Sequence, residues 1–392
     1  MAWAQLALGG LGAMIGVLSV VAVVRSLRSL PVLGDAPAPA PPAAGWPPVA
    51  VIIPACNEAD TLPATLEALL KLDYPALEVV VVDDRSTDAT PETLAAAAAR
   101  DDRLTAVRVD TLPDGWLGKV HALDRGLAAT DADWVLFMDA DVALAPDCLQ
   151  RAVAHALTHG AKLVSAHPEI ASGGLLVDAV FNALALSLGA ARYWEVADRS
   201  KPTAYSVGAF ILVERAAFAR TEGFPWLKLE VADDMALSHL MKRAGHHVVL
   251  VNGRGQVVLT WYEGFGEMQR KMQKNWFGIM GRCSVLRSFA LAGVLAGVPL
   301  LPLTQLVDVG APLAGRLTLF AIGTLGMMVA TWRWAAGTSR PALSALVPQL
   351  GTTLMAWMLV RSAIIGARLG GIVWRGRHYS TAELNAGRRV FF

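Results

Sequence analysis

Two kinds of apolar pattern alternate along the chain. The first is the long run. Ala2–Val24 carries no charge and is followed by Arg25 and Arg28, a length that fits a membrane span. Phe289–Val307, Leu317–Thr331 and Ala342–Val360 repeat that character later, the second of them short. The other kind is the short run that stops at polar residues. Val49–Ile53 ends in Pro54-Ala55-Cys56-Asn57-Glu58, Val79–Val82 in Asp83-Asp84, and Trp134–Met138 in Asp139-Ala140-Asp141. Brief, continuously apolar runs predict buried strands of a parallel sheet. Leu104–Val109, Leu163–Ala166, Ala209–Val213, Val248–Val251 and Val257–Thr260 read as further strands.

Helical spacing fills the gaps. Leu62, Leu66, Leu69 and Leu70 share a face. Thr90 predicts a cap with Pro91 at the first helical position. Helices are expected from about Lys119 to Ala129, over Asp147–His159, and over Met235–Ala244 just after Asp233-Asp234. Gly223-Phe224-Pro225 marks a turn, and Leu175–Tyr193 fits either a core helix or one resting on a bilayer. Strand–helix alternation of this kind predicts an α/β domain with a mainly parallel sheet.

Glu263–Arg287 has a different texture. Arg270, Lys271, Lys274, Arg282 and Arg287 are interleaved with Phe265, Met268, Met272, Trp276, Phe277 and Met280, which predicts an amphipathic helix in the membrane interface. The expected organisation is therefore an anchor over residues 1–24, a linker over 25–48, an α/β domain over 49–262, the interface helix over 263–287, apolar segments over 288–366 and a basic tail over 367–392. Leu33–Pro48, rich in Pro and Ala, reads as a semi-rigid extended linker.

No charge precedes the first run, so an uncleaved anchor is expected rather than a signal peptide. The positive-inside rule then puts Arg25 and the α/β domain after it in the cytoplasm. One early and three late spans would leave the tail outside. Yet Arg368, Arg375, Arg377, Arg388 and Arg389 belong inside by the same rule. Either one late segment is re-entrant or Ile364–Trp374 dips back into the bilayer. Pro299 and Pro302 point to the first late run as the irregular one.

Composition agrees with a membrane protein that carries an appreciable soluble part. Of 392 residues 54% are hydrophobic and 17% charged, with mean hydropathy +0.45. A net charge of +1 gives no reason to expect nucleic acid. Cys56, Cys148 and Cys283 lack metal-ligand spacing and read as free thiols in a reducing compartment. His121, His167, His239, His246 and His247 form no metal-ligand spacing either. There is no G-x-S-x-G and no P-loop, which leaves hydrolase and NTPase readings unsupported.

The candidate chemistry lies in three acidic sites, Asp83-Asp84, Asp139/Asp141 and Asp233-Asp234. Parallel strands gather their carboxyl ends at one edge, where open α/β sheets bind ligands, so these carboxylates are expected to line one cleft. Asp139 and Asp141 are hard oxygen ligands suited to Mg²⁺ or Mn²⁺ carrying a diphosphate. Taken alone, an Asp-x-Asp is equally the polar turn that ends many strands. Paired acids at a helix start also compensate its dipole.

Taken in order, Val51–Glu58 (VIIPACNE), Val80–Thr90 (VVVDDRSTDAT), Gly118–Gly126 (GKVHALDRG), the Asp-Ala-Asp, Gly223-Phe224 and Asp233–Gly245 (DDMALSHLMKRAG) resemble the family 2 glycosyltransferases of GT-A fold. The resemblance covers roughly residues 49–260. Within the family, Leu112–Lys119 (LPDGWLGK), Tyr262–Phe277 (YEGFGEMQRKMQKNWF), the flanking spans and Trp374-Arg375-Gly376-Arg377 are most similar to the membrane-bound, hopene-associated and carotenoid-pathway enzymes.

The resemblance implies a set of roles. Asp83 and Asp84 would hold the base and ribose of a nucleotide-sugar. Pro54 and Glu58 would border the base, although Glu58 is also placed to cap the next helix. Lys119 would contact the donor diphosphate or position its loop. Asp141 would ligate the metal, with Asp139 on ribose or a metal-bound water. Asp234 would be the general base, and Asp233 stands where the family usually has Glu. Processive members carry Q-x-x-R-W. Here Asn275 takes the Arg position and Gln is displaced by one in Met272–Trp276, which argues for transfer of a single sugar.

The expectation is thus an inverting hexosyltransferase at the cytoplasmic face of a bacterial-type plasma membrane. It would use a nucleotide-sugar, UDP by family habit, with Mg²⁺ or Mn²⁺. The acceptor would be the hydroxyl of a membrane lipid, such as a hopanoid or carotenoid. A processive polysaccharide synthase and a non-catalytic lipid-binding protein of the same fold are the alternatives.

Overall fold

The computed structural model describes residues 1–35 and 37–390. Ala36 of the expected linker and Phe391 and Phe392 of the expected tail lie outside the described residues. A long helix, α1 (Ala2–Arg28), leads through an irregular segment into an alternating region. In order this comprises β1 (Val49–Ala55), α2 (Leu62–Leu70), β2 (Leu77–Asp84), α3 (Thr90–Ala98), β3 (Leu104–Val109), α4 (Gly118–Leu127), β4 (Trp134–Phe137) and β5 (Val142–Leu144). Next come α5 (Cys148–His159), β6 (Leu163–His167), β7 (Glu169–Ile170), α6 (Leu175–Ala190), β8 (Ile211–Glu214), α7 (Arg215–Phe218), α8 (Gly223–Leu227), α9 (Asp233–Arg243), β9 (Val248–Asn252) and β10 (Val257–Leu259).

Seven strands form one sheet in the order β3-β2-β1-β4-β8-β6-β9, parallel except for β8, which runs against both neighbours. β5, β10 and β7 form a second, smaller sheet. Alternate residues of each central strand feed opposite faces. Val51, Ile53, Val79, Val81 and Leu136 meet Leu66 and Leu69 of α2 and Val153 of α5. Ile52, Val80, Val82, Val135 and Phe137 meet Val120 and Leu123 of α4 and Leu240 of α9. A strand buried on both sides cannot alternate polar and apolar residues, which is why these runs are continuous in sequence. The start of the expected linker is less free than its composition suggests. Leu33 N donates to Asn252 O and Asn252 N to Pro31 O, so this segment lines the β9 edge.

Several expected elements shift. Thr90 is the first residue of α3 and its cap is Ala89; the Thr90 hydroxyl is turned to Asp88 instead. Gly223-Phe224-Pro225 opens the short helix α8 rather than a turn. Asp233 and Asp234 form the first turn of α9 instead of preceding it. The expected interface helix is broken into α10 (Phe265–Lys271), α11 (Gln273–Asn275) and a π-helical turn over Trp276–Met280. Its apolar side faces protein: Met268, Trp276 and Phe277 are buried.

The chain continues as α12 (Val285–Gly297), a 3-10 run over Val298–Leu306 holding Pro299 and Pro302, α13 (Leu313–Gly337) and α14 (Pro348–Leu369). With α1 there are four helical segments long and apolar enough to cross a membrane among the described residues. The short run Leu317–Thr331 is therefore the middle of a 25-residue helix. α1 lies close against α13, where a Cβ on Gly16 would press on the backbone of Gly323. Small residues permit such close approach between apolar helices.

α13 ends at the α/β domain, where Asn252 Nδ2 donates to Gly337 O (2.8 Å). The chain then doubles back along α13, with Thr331 Oγ1 donating to Ala345 O (2.6 Å). α14 starts beside the irregular run, where Gln349 reaches Pro299 O (3.4 Å), and climbs back until Ser362 bonds to Gln273 O. Both ends of residues 338–369 therefore lie at the α/β domain. Among the described residues past Leu369 no apolar segment dips away. Instead β11 (Gly371–Trp374) and β12 (Arg377–Ser380) form an antiparallel hairpin, and α15 (Thr381–Gly387) comes after it. Arg389 N and Val390 N both donate to Glu230 Oε2.

Gly126, within α4, lies so close to β1 that a Cβ there would run into Ile52 Cγ2 and come within 3.0 Å of Val82 Cγ2. Overpacking of this kind costs about 1–3 kcal/mol, while Ala gains roughly 1 kcal/mol of helix propensity over Gly. The crowding on a rigid β-branched neighbour wins, so Gly126→Ala lowers the thermal unfolding temperature of the detergent-solubilised protein. An unchanged or higher temperature would contradict this packing.

Candidate active site

β1, β2 and β4 end on one rim, and the helices after them start there. Asp139 and Asp141 follow β4, Asp233 and Asp234 open α9, and Lys119 is the second residue of α4. Lys119 Nζ stands 2.7 Å from Asp139 Oδ1 and 3.4 Å from Asp233 Oδ2, with its side chain 15% exposed. Burial pulls the Lys119 pKa down, but Asp139, Asp233 and Asp234 outweigh it, and the ammonium is held above its ordinary range. Asp234 Oδ2 accepts Gly208 N (3.0 Å), its Oδ1 accepts Met235 N (2.8 Å), and its carbonyl accepts the Ser206 hydroxyl.

Burial is the main cause that raises the Asp234 pKa, to about 6, and the neighbouring Asp233 adds to it; Lys119 and the two backbone N–H groups pull the other way. Asp141 is also raised to about 6, by burial first and the Asp139 carboxylate second. Its side chain remains open to the cavity, where solvent screens that shift.

These groups line a cavity of about 720 Å³. One wall is acidic: Glu58, Asp139, Asp141, Asp233 and Asp234. A second wall, from α10, α11 and the carboxyl-terminal hairpin, carries Arg270, Lys271, Lys274 and Arg375. A third is apolar, with Phe181 and Leu184 of α6 and Trp261, Ile279 and Met280.

Of the residues expected from the sequence, Pro54, Glu58, Lys119, Asp139, Asp141, Asp233 and Asp234 all border this space. Asp83 and Asp84 do not, which corrects the expectation of one cleft lined by all three acidic sites. They are 2% and 0% exposed at the end of β2. Asp83 pairs with Arg108 and accepts Ser86 N (3.1 Å). Asp84 pairs with Arg85 (2.8 Å) and with Arg375 Nη1 (3.5 Å). Such carboxylates need partners because burial without them is costly. Glu58 accepts the Thr61 hydroxyl (2.7 Å), and its carbonyl accepts Leu62 N (2.9 Å). It thus braces the start of α2 while bordering the cavity.

Sequence reasoning missed Gly208, Lys274 and Arg375. A Cβ on Gly208 would stand 3.3 Å from Lys119 Nζ and 3.4 Å from Asp139 Oδ2, so this glycine gives the cluster its room. Gly118 does the same for Asp84, whose carboxylate occupies the space of its absent side chain. The Gly-Lys signal was visible without its geometric reason. Trp374-Arg375-Gly376-Arg377 was visible as a motif, but nothing in its spacing shows that the turn reaches back to Pro54 and Asp84.

Among the described residues no group of three or more His, Cys, Asp or Glu is arranged to hold a metal ion. Mg²⁺ and Mn²⁺ carried by a substrate need only one or two carboxylates, with phosphate oxygens and water completing the shell. Asp141, open to the cavity beside Asp139, suits that donor set. Asp139 Oδ1 is already engaged by Lys119.

A family model for Glycosyl transferase family group 2 matches residues 134–365, and one for Glycosyl transferase family 2 matches residues 50–189. The chain belongs to the family 2 glycosyl transferases. It is 26% identical over 225 residues to 4,4'-diaponeurosporenoate glycosyltransferase of Staphylococcus haemolyticus, covering 56% of this chain and 58% of that one. It is 35% identical over 107 residues to a beta-monoglucosyldiacylglycerol synthase of Nostoc sp., covering 27% and 22% respectively. The chain thus spans less than two thirds of the length of these curated relatives. A mannosyltransferase of Pyrobaculum calidifontis, solved in complex with GDP-Man and Mn²⁺, superposes with a TM-score of 0.53 at 22% identity, covering 92% of this chain and 98% of that one. The likeness establishes the GT-A fold.

The raised pKa of Asp234 gives a stability prediction. Ionised Asp234 opposes folding above pH 6, and that penalty is lost as pH falls through 6 toward the unfolded value near 4. Asp234→Asn therefore raises the unfolding temperature at pH 8 and gains nothing near pH 4. A gain that is equal at both would show that the charge is not responsible.

Proposed function

We propose that the protein transfers one sugar from a nucleotide-sugar to a hydroxyl of an apolar membrane lipid. The observation that carries this reading is the cavity itself. Its lining joins a carboxylate cluster to apolar side chains, two of them on α6, which packs on α14; such a lining suits a water-insoluble alcohol that must reach the acids. Two relatives whose names join a sugar to a lipid support a lipid acceptor, the first of them naming a carboxylate rather than an alcohol.

Asp234 takes the proton of the acceptor hydroxyl as its oxygen attacks the anomeric carbon. The bond from that carbon to the diphosphate oxygen breaks, and the nucleoside diphosphate leaves with the electron pair. Attack opposite to the leaving group inverts the centre. Burial and Asp233 make Asp234 basic enough for this step while leaving it ionised at neutral pH. Lys119 holds Asp139 and Asp233 in place. Asp141, with Asp139 beside it, would hold a divalent cation, which would supply positive charge to the diphosphate. Asp83 and Asp84, at the end of β2, would take the base and ribose once their arginine partners yield.

The same reading places three crossings in the membrane: α1, α12 with its 3-10 extension, and α13. Residues 338–369 then form a re-entrant excursion. The arginine-rich tail and the catalytic domain share a side, which the positive-inside rule makes cytoplasmic. A processive synthase is less well supported, because Asn275 stands where polymerising members carry Arg.

Purified full-length protein, incubated with labelled UDP- and GDP-sugars, Mg²⁺ or Mn²⁺, and a hopanoid alcohol, a hydroxylated carotenoid or a polyprenyl phosphate, tests the reading. Mass analysis is expected to find one sugar added to a lipid alcohol. Long polymer would favour the processive synthase. Absence of both transfer and nucleotide-sugar hydrolysis would favour a non-catalytic protein.

Two variants test the assigned roles. Asp234→Asn is expected to lower turnover by at least about 10²-fold while nucleotide binding persists, and the wild-type rate falls as pH drops through about 6. Turnover within a few-fold of wild type would remove Asp234 from the mechanism. Asp141→Ala is expected to abolish the metal dependence of nucleotide affinity. If Mg²⁺ tightens binding equally in both proteins, Asp141 is not a ligand.

A further inference from the structure

The hairpin β11–β12 is folded onto the catalytic domain at several points. Tyr379 donates to Trp116 O (3.3 Å), and Arg377 pairs with Asp114 (3.2 Å). Gly371 has no room for a side chain against the Tyr379 carbonyl, which fixes how tightly the strands close. The turn Arg375-Gly376 has positive φ at both residues, 49° and 75°. It carries Arg375 to the end of β1, where Nη2 donates to Pro54 O (3.4 Å). Nη1 stands 3.5 Å from Asp84 Oδ2 and is buried without a hydrogen bond.

On the preceding residue, the Trp374 ring lies 3.5 Å from Lys274 Nζ. No carboxylate lies within ion-pair distance of Lys274 among the described residues. Burial lowers its pKa to about 8 against the pull of Asp233. Two cations with unmet bonding capacity thus flank the same cavity, opposite its acidic wall. Lys274 has no carboxylate partner, and Arg375 holds Asp84 without a hydrogen bond from Nη1, so an anion entering between these groups would complete the bonding of both.

We infer that Arg375 of the carboxyl-terminal hairpin and Lys274 of α11 together bind the diphosphate of the nucleotide-sugar and stabilise it as it departs. Arg375 supplies a planar, charge-assisted contact from the tail. The guanidinium fork suits two phosphate oxygens at once, whereas Lys274, steadied by Trp374, acts as a point charge. Binding draws Arg375 away from Asp84 and leaves that carboxylate to Arg85. The tail is therefore part of the donor site, and the proposal rests on the glycosyl-transfer reading above.

The test is nucleotide binding by the full-length protein in Mg²⁺, using UDP, UMP, GDP and GMP, with no acceptor present. Arg375→Gln and Lys274→Gln are each expected to weaken the diphosphate by about tenfold or more. The monophosphate of the same base should change by less than about threefold, so the diphosphate preference collapses. Arg375→Lys should recover part of it. If the diphosphate binds the variants as tightly as wild type, the inference is wrong while the donor reading stands. Equal weakening of mono- and diphosphate would assign Arg375 to structural support of Asp84, again against the inference alone. If wild type binds no diphosphate at all, both readings fall.

Discussion

A single buried ammonium, that of Lys119, is shared by carboxylates from two distant stretches of the chain. Asp139 closes a strand and Asp233 and Asp234 open a helix, and mutual repulsion would hold them apart without a cation between them. The ion pairs at 2.7 and 3.4 Å therefore join β4, α4 and α9 at one point. Much nearby detail stems from that demand for space. Gly208 lets backbone approach the cluster, and its N–H contributes directly to Asp234. Gly118 gives way to Asp84, and Gly126 lets α4 settle onto β1.

The cluster acquires its chemistry from the three unlike walls around it. Carboxylates alone would attract any cation, and an apolar groove alone would take any lipid. Their junction places the Asp234 carboxylate in one cavity with apolar and cationic side chains. Desolvation does two jobs. It raises Asp234 toward the range of a useful base, and it leaves Lys274 and Arg375 in want of an anion.

Much of this was legible in the residues. The strand ends were marked by the change from apolar run to acid, because a two-sided buried strand announces itself by continuity and stops where solvent begins. Asp139 and Asp141 were found that way, Asp233 and Asp234 as an acidic pair at a helix start, and Pro54, Glu58 and Lys119 through the resemblance; all border one cavity. Asp83 and Asp84 obeyed the same rule but are covered, since sequence spacing reveals neither Arg108 nor Arg375. The segment after Glu263 is broken where one continuous helix was expected. Its apolar residues have the period of a membrane-facing stripe, but Phe277 packs against Gly366 of α14. A stripe turned toward lipid and one turned toward a partner helix have the same spacing. The strand β8 was found, yet its antiparallel direction depends on the long excursion through α6, which no local pattern reports.

That excursion and the tail suggest why the apolar helices do more than tether the enzyme. α6 lines the cavity with Phe181 and Leu184 and packs on α14 through Ala179 against Gly351. α14 in turn presses Gly366 against Phe277, anchors Ser362 to Gln273 and runs on into the hairpin. The apolar wall that would admit a lipid and the turn carrying Arg375 are thus mechanically adjacent, joined through one helix of 22 residues. A helix packed at both ends transmits a shift rather than absorbing it, because close-packed contacts yield little. If an acceptor enters along α6 and a donor seats under Arg375, as proposed above, α14 is the packed element that joins the two places.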